Sequence, residues 1–226
     1  MKLFQLKTSG CLWVLPCLFA WLNTLAQPPS SVSARSNLVI LGDSLSAGFG
    51  VDPSEAYPAL IQKRIDAQGW PFAVVNAGVS GDTTAGGLRR LDWLLRRPMD
   101  VLLLELGGND GLRGLPLSAT RSNLVEIIQR TRAKNPEVSI VLAGMQMPPN
   151  FGEKYAAEFR AIYPDVAREQ KVVLMPFLLE GVGGVAELNL PDQIHPNPKG
   201  HQIVASNLWA VLEPVLRTNV VSARKR

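Results

Sequence analysis

Five short apolar runs punctuate the chain: "NLVILG" from Asn37, "FAVVNAG" from Phe72, "DVLLLELGG" from Asp100, "VSIVLAG" from Val138 and "KVVLMPF" from Lys171. Each is continuous rather than alternating, the pattern of a strand buried on both faces of a parallel sheet. The segments between them carry helical periodicity. Asp52-Pro53-Ser54-Glu55 combines an N-cap, a proline at the first helical position and a capping-box glutamate, and predicts a helix with Tyr57, Leu60, Ile61 and Ile65 on one face, stopped by Gly69. Asp82 is the expected cap of a second helix bearing Leu88, Leu91 and Leu95, with Arg96 and Arg97 at its end before Pro98. A third carries Leu124, Ile127 and Ile128 and ends at Asn135-Pro136. The fourth, with Tyr155, Phe159, Ile162 and Val166, contains Pro164 and is expected to kink or break there. The last starts at Asn197-Pro198 and presents Ile203, Leu208, Val211 and Val215. Strands alternating with helices imply right-handed crossovers and a three-layer α/β/α arrangement, a doubly wound five-stranded parallel sheet with helices on both faces. Such sheets hold their ligands beyond the carboxyl ends of the strands.

The first 35 residues lie outside this pattern. Lys2 and Lys7 precede the apolar run "CLWVLPCLFAWL", and small residues follow at Thr24-Leu25-Ala26 and again at Val32-Ser33-Ala34. This reads as a secretory signal peptide over residues 1–26, with a second cleavage point after Ala34. A retained membrane anchor is the alternative, but Pro16 interrupts the run and it falls short of the roughly 20 residues a span needs. Export to the periplasm or the medium is therefore expected. The expected organisation continues with a linker over 27–36, a folded domain over 37–217 and a basic tail over 218–226.

Cys11 and Cys17 both fall in the leader, so a processed chain carries no disulfide, thiolate nucleophile or cysteine metal site. Their positions at the start of and within the apolar run do not suit a lipoprotein anchor. The 226 residues are 46% hydrophobic with a formal charge of +4. Lys2, Lys7 and the terminal "ARKR" account for that excess, leaving a nearly neutral body with interspersed signs. Nothing in it argues for nucleic acid, and the tail reads as a solvated end rather than a membrane patch.

The chemistry-bearing residues sit where the strands end. Only two histidines occur, His195 and His201. His195, in "LPDQIHPNPKG", follows Asp192 by three residues across a proline-bounded turn, so Asp192 can fix its tautomer and stabilise the imidazolium of a general base. An incidental pair in an exposed loop is the ordinary explanation of the same residues. His201 has no comparable setting, and surface or helix-end packing is expected of it. Ser44, in "LGDSLSAGFG", follows the first strand by two residues, which brings its hydroxyl out at the sheet edge; Asp43, Ser44 and Ser46 are equally ordinary turn and cap residues. The stretch matches neither G-x-G-x-x-G nor a phosphate loop ending in Lys-Ser/Thr, nor the G-x-S-x-G elbow, because position 46 is serine.

Acyl transfer also requires donors for a developing oxyanion. Gly81 in "GVSGDTT" offers an unobstructed backbone N–H, and Asn109 in "GGND" a carboxamide that Gly107 and Gly108 leave free to be aimed. Each alone is a common turn sequence; their places after successive strands join them. A zinc hydrolase would need more histidine or cysteine than two histidines provide, and no spacing suggests an all-carboxylate metal set, so neither metal nor cofactor is expected. Glu105, within "VLLLELGG", is expected to be a satisfied structural carboxylate near the strand end.

Four blocks in order, "GDSLS" around Ser44, "SGDTT" with Gly81, "GGND" with Asn109 and "DQIHP" with Asp192 and His195, resemble the blocks of the SGNH, or GDSL, hydrolases. "LELGGNDGLRG", "GDSLSAGFG" and "PPNFGEKYAAEFRAIYP" look most like its bacterial thioesterase I, lysophospholipase and arylesterase group. The resemblance implies Ser44 as nucleophile, His195 as base, Asp192 as its orienter, and an oxyanion hole from the Ser44 N–H, the Gly81 N–H and the Asn109 side chain. It also implies a flavodoxin-like order of five parallel strands and cleavage of an ester or thioester through an acyl-enzyme. The glycine-rich "LLEGVGGVAELNLPDQIHP" departs from that group, where a longer and more aromatic approach is expected. The substrate is then a small-molecule acyl ester or thioester, lipids included, with no nucleic acid or required protein partner. Met145, Met147 and Phe151, in the apolar "MQMPPNFG", are candidates for an acyl groove, with ordinary loop packing their other reading. A carbohydrate O-acetylesterase of the same superfamily is the alternative activity, and a non-catalytic exported binding domain the alternative class.

Overall fold

The structure is a computed structural model, and it describes residues 35–223. All five apolar runs are strands: β1 Ser36–Gly42, β2 Phe72–Gly78, β3 Val101–Glu105, β4 Ser139–Ala143 and β5 Val173–Met175. They form one parallel sheet in the order β2-β1-β3-β4-β5, the flavodoxin-like order. The helices are α1 Ser44–Ala47, α2 Tyr57–Ala67, α3 Thr84–Leu94, α4 Gly108–Leu112, α5 Leu117–Lys134, α6 Glu153–Gln170 and α7 Pro198–Ala223, with 3₁₀ turns at Pro149–Phe151 and Ala186–Leu188. Helices α3, α5 and α6 pack side by side in one layer, and α2 packs with α7 in the other. Among the described residues no helix is long and apolar enough to cross a membrane.

The central strand β3 is inaccessible over its whole length, which is why its sequence carries no polar alternation. Burying one leucine of Leu102–Leu104 contributes about 1.5–3 kcal/mol, so this strand anchors both layers. Its neighbours β1 and β4 supply Leu38, Ile40, Leu41, Val141 and Leu142 to the same core.

The helix ends differ from expectation where side chains have competing partners. Helix α2 starts at Tyr57, not Asp52; Asp52 accepts instead from the Ser54 N–H at 2.8 Å and the Ser54 hydroxyl at 2.6 Å, closing a local turn. The Tyr57 N–H is capped from another element, by Nδ1 of His201 at 3.2 Å. Helix α3 is capped by Thr83, which accepts from the Gly86 N–H, because Asp82 pairs with Arg90 at 2.7 Å. Helix α6 runs through Pro164 without interruption. Pro164 and Arg160, whose carbonyl loses its partner there, both lie on the exposed side, while Phe159, Ile162, Tyr163 and Val166 hold the other side in the core.

Helix α7 begins as expected, with Asn197 Oδ1 accepting from the N–H groups of Lys199 and Gly200. Its buried stripe is Val204, Leu208, Leu212, Leu216 and Val220, whereas Ile203, Val211 and Val215 are only half-buried. The helix continues past residue 217 to Ala223, and Asn219 donates to the Ser139 hydroxyl at 3.0 Å.

At the carboxyl edge, β2 backs directly onto the turn that carries Ser44. A β-carbon on Gly78 would stand 2.4 Å from the Ala47 nitrogen and 2.8 Å from the Ser46 carbonyl carbon, both backbone atoms that cannot swing aside. Gly78→Ala is expected to cost about 1–3 kcal/mol in urea unfolding, as overpacking does. Unchanged stability would show that the turn tolerates displacement.

Candidate active site

Strand β1 delivers the chain to the sheet edge at Gly42, and Asp43 caps the short helix α1 by accepting the Leu45 N–H at 3.0 Å. Ser44 is thereby the first residue of a helical turn, buried except for a small exposed fraction of 8%. Its own N–H points off the helix start, where no intrahelical acceptor exists. Among the described residues neither this N–H nor that of Gly81 has a hydrogen-bond partner.

The loop between the second 3₁₀ turn and α7 folds around one carboxylate. Asp192 Oδ1 accepts from the backbone N–H groups of Ile194 at 2.9 Å and His195 at 3.0 Å, and Oδ2 lies 2.6 Å from His195 Nδ1. The loop is closed by the Leu190 N–H to the His195 carbonyl at 2.7 Å and by pairing of Asn189 with Pro196. With the Nδ1 proton directed at Asp192, Nε2 is left as an acceptor, and it stands 2.8 Å from Ser44 Oγ. Partial burial raises the Asp192 carboxyl, but the backbone and imidazole bonds outweigh it and hold the group below its usual value. Asp192 therefore stays anionic opposite the imidazole. Phe49, missed in the sequence reading, lays its ring against the imidazole with 4.6 Å between centroids.

The two other expected donors follow the strands on either side of β1. Gly81 sits after β2 with φ +79°, and its carbonyl accepts from Arg113 Nη2 at 2.9 Å. Asn109 lies in α4 after β3, where Gly107 turns the chain at φ +115°, a conformation costly for any residue with a side chain. One proton of the Asn109 carboxamide goes to Asp43 Oδ2 at 3.0 Å, leaving the other free. The structure thus brings Ser44, His195 and Asp192 into one hydrogen-bonded chain, and sets Ser44, Gly81 and Asn109 at the ends of three adjacent strands.

Beneath Ser44 lies a network that local sequence did not reveal. Glu105 is wholly buried; its Oε2 accepts from the Asp43 N–H at 3.1 Å and the Ser46 hydroxyl at 2.5 Å, and the Ser46 oxygen is 2.5 Å from the Tyr57 hydroxyl. Glu105 was expected to be fully satisfied, but Oε1 has no partner among the described residues. Burial, reinforced by the neighbouring Asp43, pushes its pKa well above the ordinary carboxylate value. Asp43 is also raised by burial, against the opposing hydrogen bonds from Leu45 and Asn109. Of the two, Glu105 is displaced further from the ordinary carboxylate value than Asp43. His201, for which surface or helix-end packing was expected, is buried in the first turn of α7; it accepts from the Tyr57 backbone, and its ring lies 6.2 Å from that of Tyr57 at an interplanar angle of 27°.

An acyl groove and ordinary loop packing were both open for the methionines, and their burial suits the packing. Met145 and Met147 are 3% and 8% exposed and belong to the core, the Met147 thioether filling the space over Gly111. Phe151 is half-buried and stacks on Tyr155 with 6.3 Å between centroids. Large apolar residues left exposed near the site include Phe49, Ile194, which adjoins His195, and Val79, whose N–H donates to the Gly42 carbonyl.

A parallel α/β/α sheet with an Asp–His–Ser chain at its carboxyl edge defines a hydrolase of the serine type. The GDSL-like lipase/acylhydrolase family model matches residues 40–203. The chain belongs to that family. It is 44% identical over 185 residues to esterase TesA of Pseudomonas aeruginosa, covering 81% of this chain and 91% of the relative. It is 40% identical over 205 residues to the thioesterase 1/protease 1/lysophospholipase L1 of Escherichia coli K12, covering 90% and 94%. A crystal structure of TesA superposes with a TM-score of 0.77 at 43% identity, covering 79% of this chain and 99% of the other.

The buried histidine makes stability pH-dependent. Burial, aided by the nearby His195, lowers His201 from 6.5 to about 4. The unfolded chain then takes up a proton near 6.5 while the folded chain resists until about 4, so this contribution is complete above pH 6.5 and is lost as pH falls towards 4. The loss amounts to no more than about 3 kcal/mol. His201→Asn keeps an acceptor for the Tyr57 N–H without the titration, and urea unfolding between pH 7 and pH 4 should show a shallower fall than the parent. Equal slopes would remove His201 as the source.

Proposed function

We propose that the protein hydrolyses carboxylic esters and thioesters through an acyl-enzyme on Ser44. The observation that carries this reading is the unbroken chain from Asp192 through His195 to Ser44 Oγ, with hydrogen bonds of 2.6 Å and 2.8 Å. His195 Nε2 takes the hydroxyl proton as Oγ attacks the acyl carbonyl, and the carbonyl π pair moves onto its oxygen. The Ser44 and Gly81 N–H groups and the free Asn109 proton stabilise that oxyanion. Collapse breaks the bond to the alkoxy or thiolate group, which leaves with the His195 proton. Water then adds with His195 again as base, and Ser44 recovers its proton as the acid departs. Asp192 remains ionised throughout and stabilises the imidazolium.

An acyl substrate is supported by two features. The relatives are named esterase and thioesterase 1/lysophospholipase L1, and the exposed Phe49 and Ile194 beside His195 give an apolar approach for a chain. Met145 and Met147 pack into the core, so the approach is assigned to Phe49 and Ile194 instead. Export by the leader, whose residues lie outside those described, completes the proposal.

Three measurements test it. Labelling by a fluorophosphonate should be lost in Ser44→Ala, and persistent labelling would move the nucleophile elsewhere. Asn109→Ala should unfold like the parent yet lose about 10²–10³-fold in kcat on p-nitrophenyl butyrate, the effect of removing one oxyanion donor; near-parental turnover would remove Asn109 from the oxyanion hole. Mass spectrometry of the exported protein should give a chain beginning at residue 27 or 35, and a full-length exported chain would contradict the leader assignment.

A further inference from the structure

We propose that Glu105 is a positioning residue that acts as a neutral acid, fixing the Asp43 backbone and, through the Asp43 carboxylate, the direction of the Asn109 carboxamide. The inference rests on the reading of Asn109 as an oxyanion donor.

Three observations lead to it. The first is the space made for this carboxyl: Gly42 is opposite Glu105 in the β1–β3 pairing, and a β-carbon there would stand 2.4 Å from Oε2 and 2.1 Å from Ser46 Oγ. The second is connectivity. Oε2 accepts from the Asp43 N–H, Asp43 Oδ1 accepts from the Leu45 N–H, and Asp43 Oδ2 accepts from the Asn109 carboxamide. The Glu105 side chain is thus joined by consecutive hydrogen bonds to both residues flanking Ser44 and to the donor after β3. The third is the lone oxygen, Oε1, wholly buried with no partner among the described residues. An ionised carboxylate would leave a full share of charge on that atom, which burial makes far more costly than a neutral hydroxyl.

The titratable groups that face Glu105 from the packed elements are Asp43 after β1, Tyr57 on α2 and Tyr163 on α6. None is a cation able to neutralise a carboxylate. Asp43 is an acid whose charge is already engaged by the Leu45 and Asn109 donors. Asp43 keeps the negative charge that holds Asn109, and Glu105 contributes geometry without a second charge near the developing oxyanion.

Glutamine is the isostere of this neutral acid: its oxygen replaces Oε2 as acceptor and its amide group replaces the Oε1 hydroxyl. Glu105→Gln should therefore keep kcat within about threefold of the parent, with a superimposable pH profile of kcat/KM, because neither form titrates. Glu105→Leu removes the acceptor and should lower kcat on the order of 10²-fold at unchanged KM, the scale of a misplaced catalytic group. Both are assayed at a temperature where urea unfolding shows them folded; if Glu105→Leu does not fold, Glu105→Gln and Ser46→Ala carry the test, the latter with a smaller loss confined to kcat.

The double variant Glu105→Leu/Asn109→Ala separates the possibilities. If Glu105 acts through Asn109, it should be little slower than Asn109→Ala alone. Multiplicative losses would overturn the positioning role while leaving Asn109 in the oxyanion hole. A Glu105→Gln variant as slow as Glu105→Leu, or with a displaced pH profile, would overturn the neutral acid. Near-parental activity of Asn109→Ala would instead defeat the oxyanion reading, and this inference with it.

Discussion

The parallel pairing of β1 with β3 is the constraint on which the site depends. In that register Gly42 faces Glu105, so the missing side chain of one strand receives the carboxyl of the other. The pairing also brings the ends of β2, β1 and β3 to one edge, and the turns that follow them carry Gly81, Ser44 and Asn109. Displacing β3 by one residue would turn Glu105 to the other face of the sheet and replace it with Leu104 or Leu106. The strand order changes direction between β1 and β3, so the topological switch point lies between the turn of Ser44 and the helix of Asn109.

The proposed base, His195, reaches this edge by a different construction. Asp192 and His195 belong to a loop held by its own backbone bonds, so their mutual geometry is local, whereas their distance from Ser44 depends on where α7 begins. That start is tied back to α2 through His201 and the Tyr57 N–H. The hydroxyl of the same tyrosine meets Ser46 in the turn of Ser44. Tyr57 therefore connects the helix that follows His195 with the turn that carries Ser44, one by its backbone and the other by its side chain. A wholly buried tyrosine whose N–H and hydroxyl both find partners serves this purpose better than a flexible or solvated link.

Sequence reading recovered what repeats or stands alone. The five continuous apolar runs are all strands, though only β1, β3 and β4 are buried as expected while the edge strands β2 and β5 are partly exposed, and a chain with two histidines left few candidates for a base. It failed where several partners compete for one side chain. Asp52 and Asp82 are both sound caps by local rules, yet Ser54 and Arg90 claim them. Helix α7 is apolar on more than one face, so periodicity could not choose between Ile203 and Val204 as the inner position. His201 looked unremarkable because its partner is 144 residues away. The proton we assign to Glu105 was illegible for the same reason, since the raised pKa behind it follows from burial and from Asp43 across the sheet and from nothing adjacent in the chain.

That proton bears on how an anionic transition state is accommodated. In the proposed mechanism the edge holds an anion at Asp192 to stabilise the imidazolium, and another at Asp43 to orient Asn109, while an oxyanion forms among the donors nearby. A third fixed negative charge beneath the turn would oppose that oxyanion in a medium where Coulomb interactions are weakly screened. A neutral acid supplies the acceptor that the Asp43 N–H and the Ser46 hydroxyl require without that opposition. Its cost is confined to one unpaired polar atom, Oε1, in a region that the β3 core already holds rigid. The donors are then oriented before substrate arrives, and little reorganisation is left for the reaction itself.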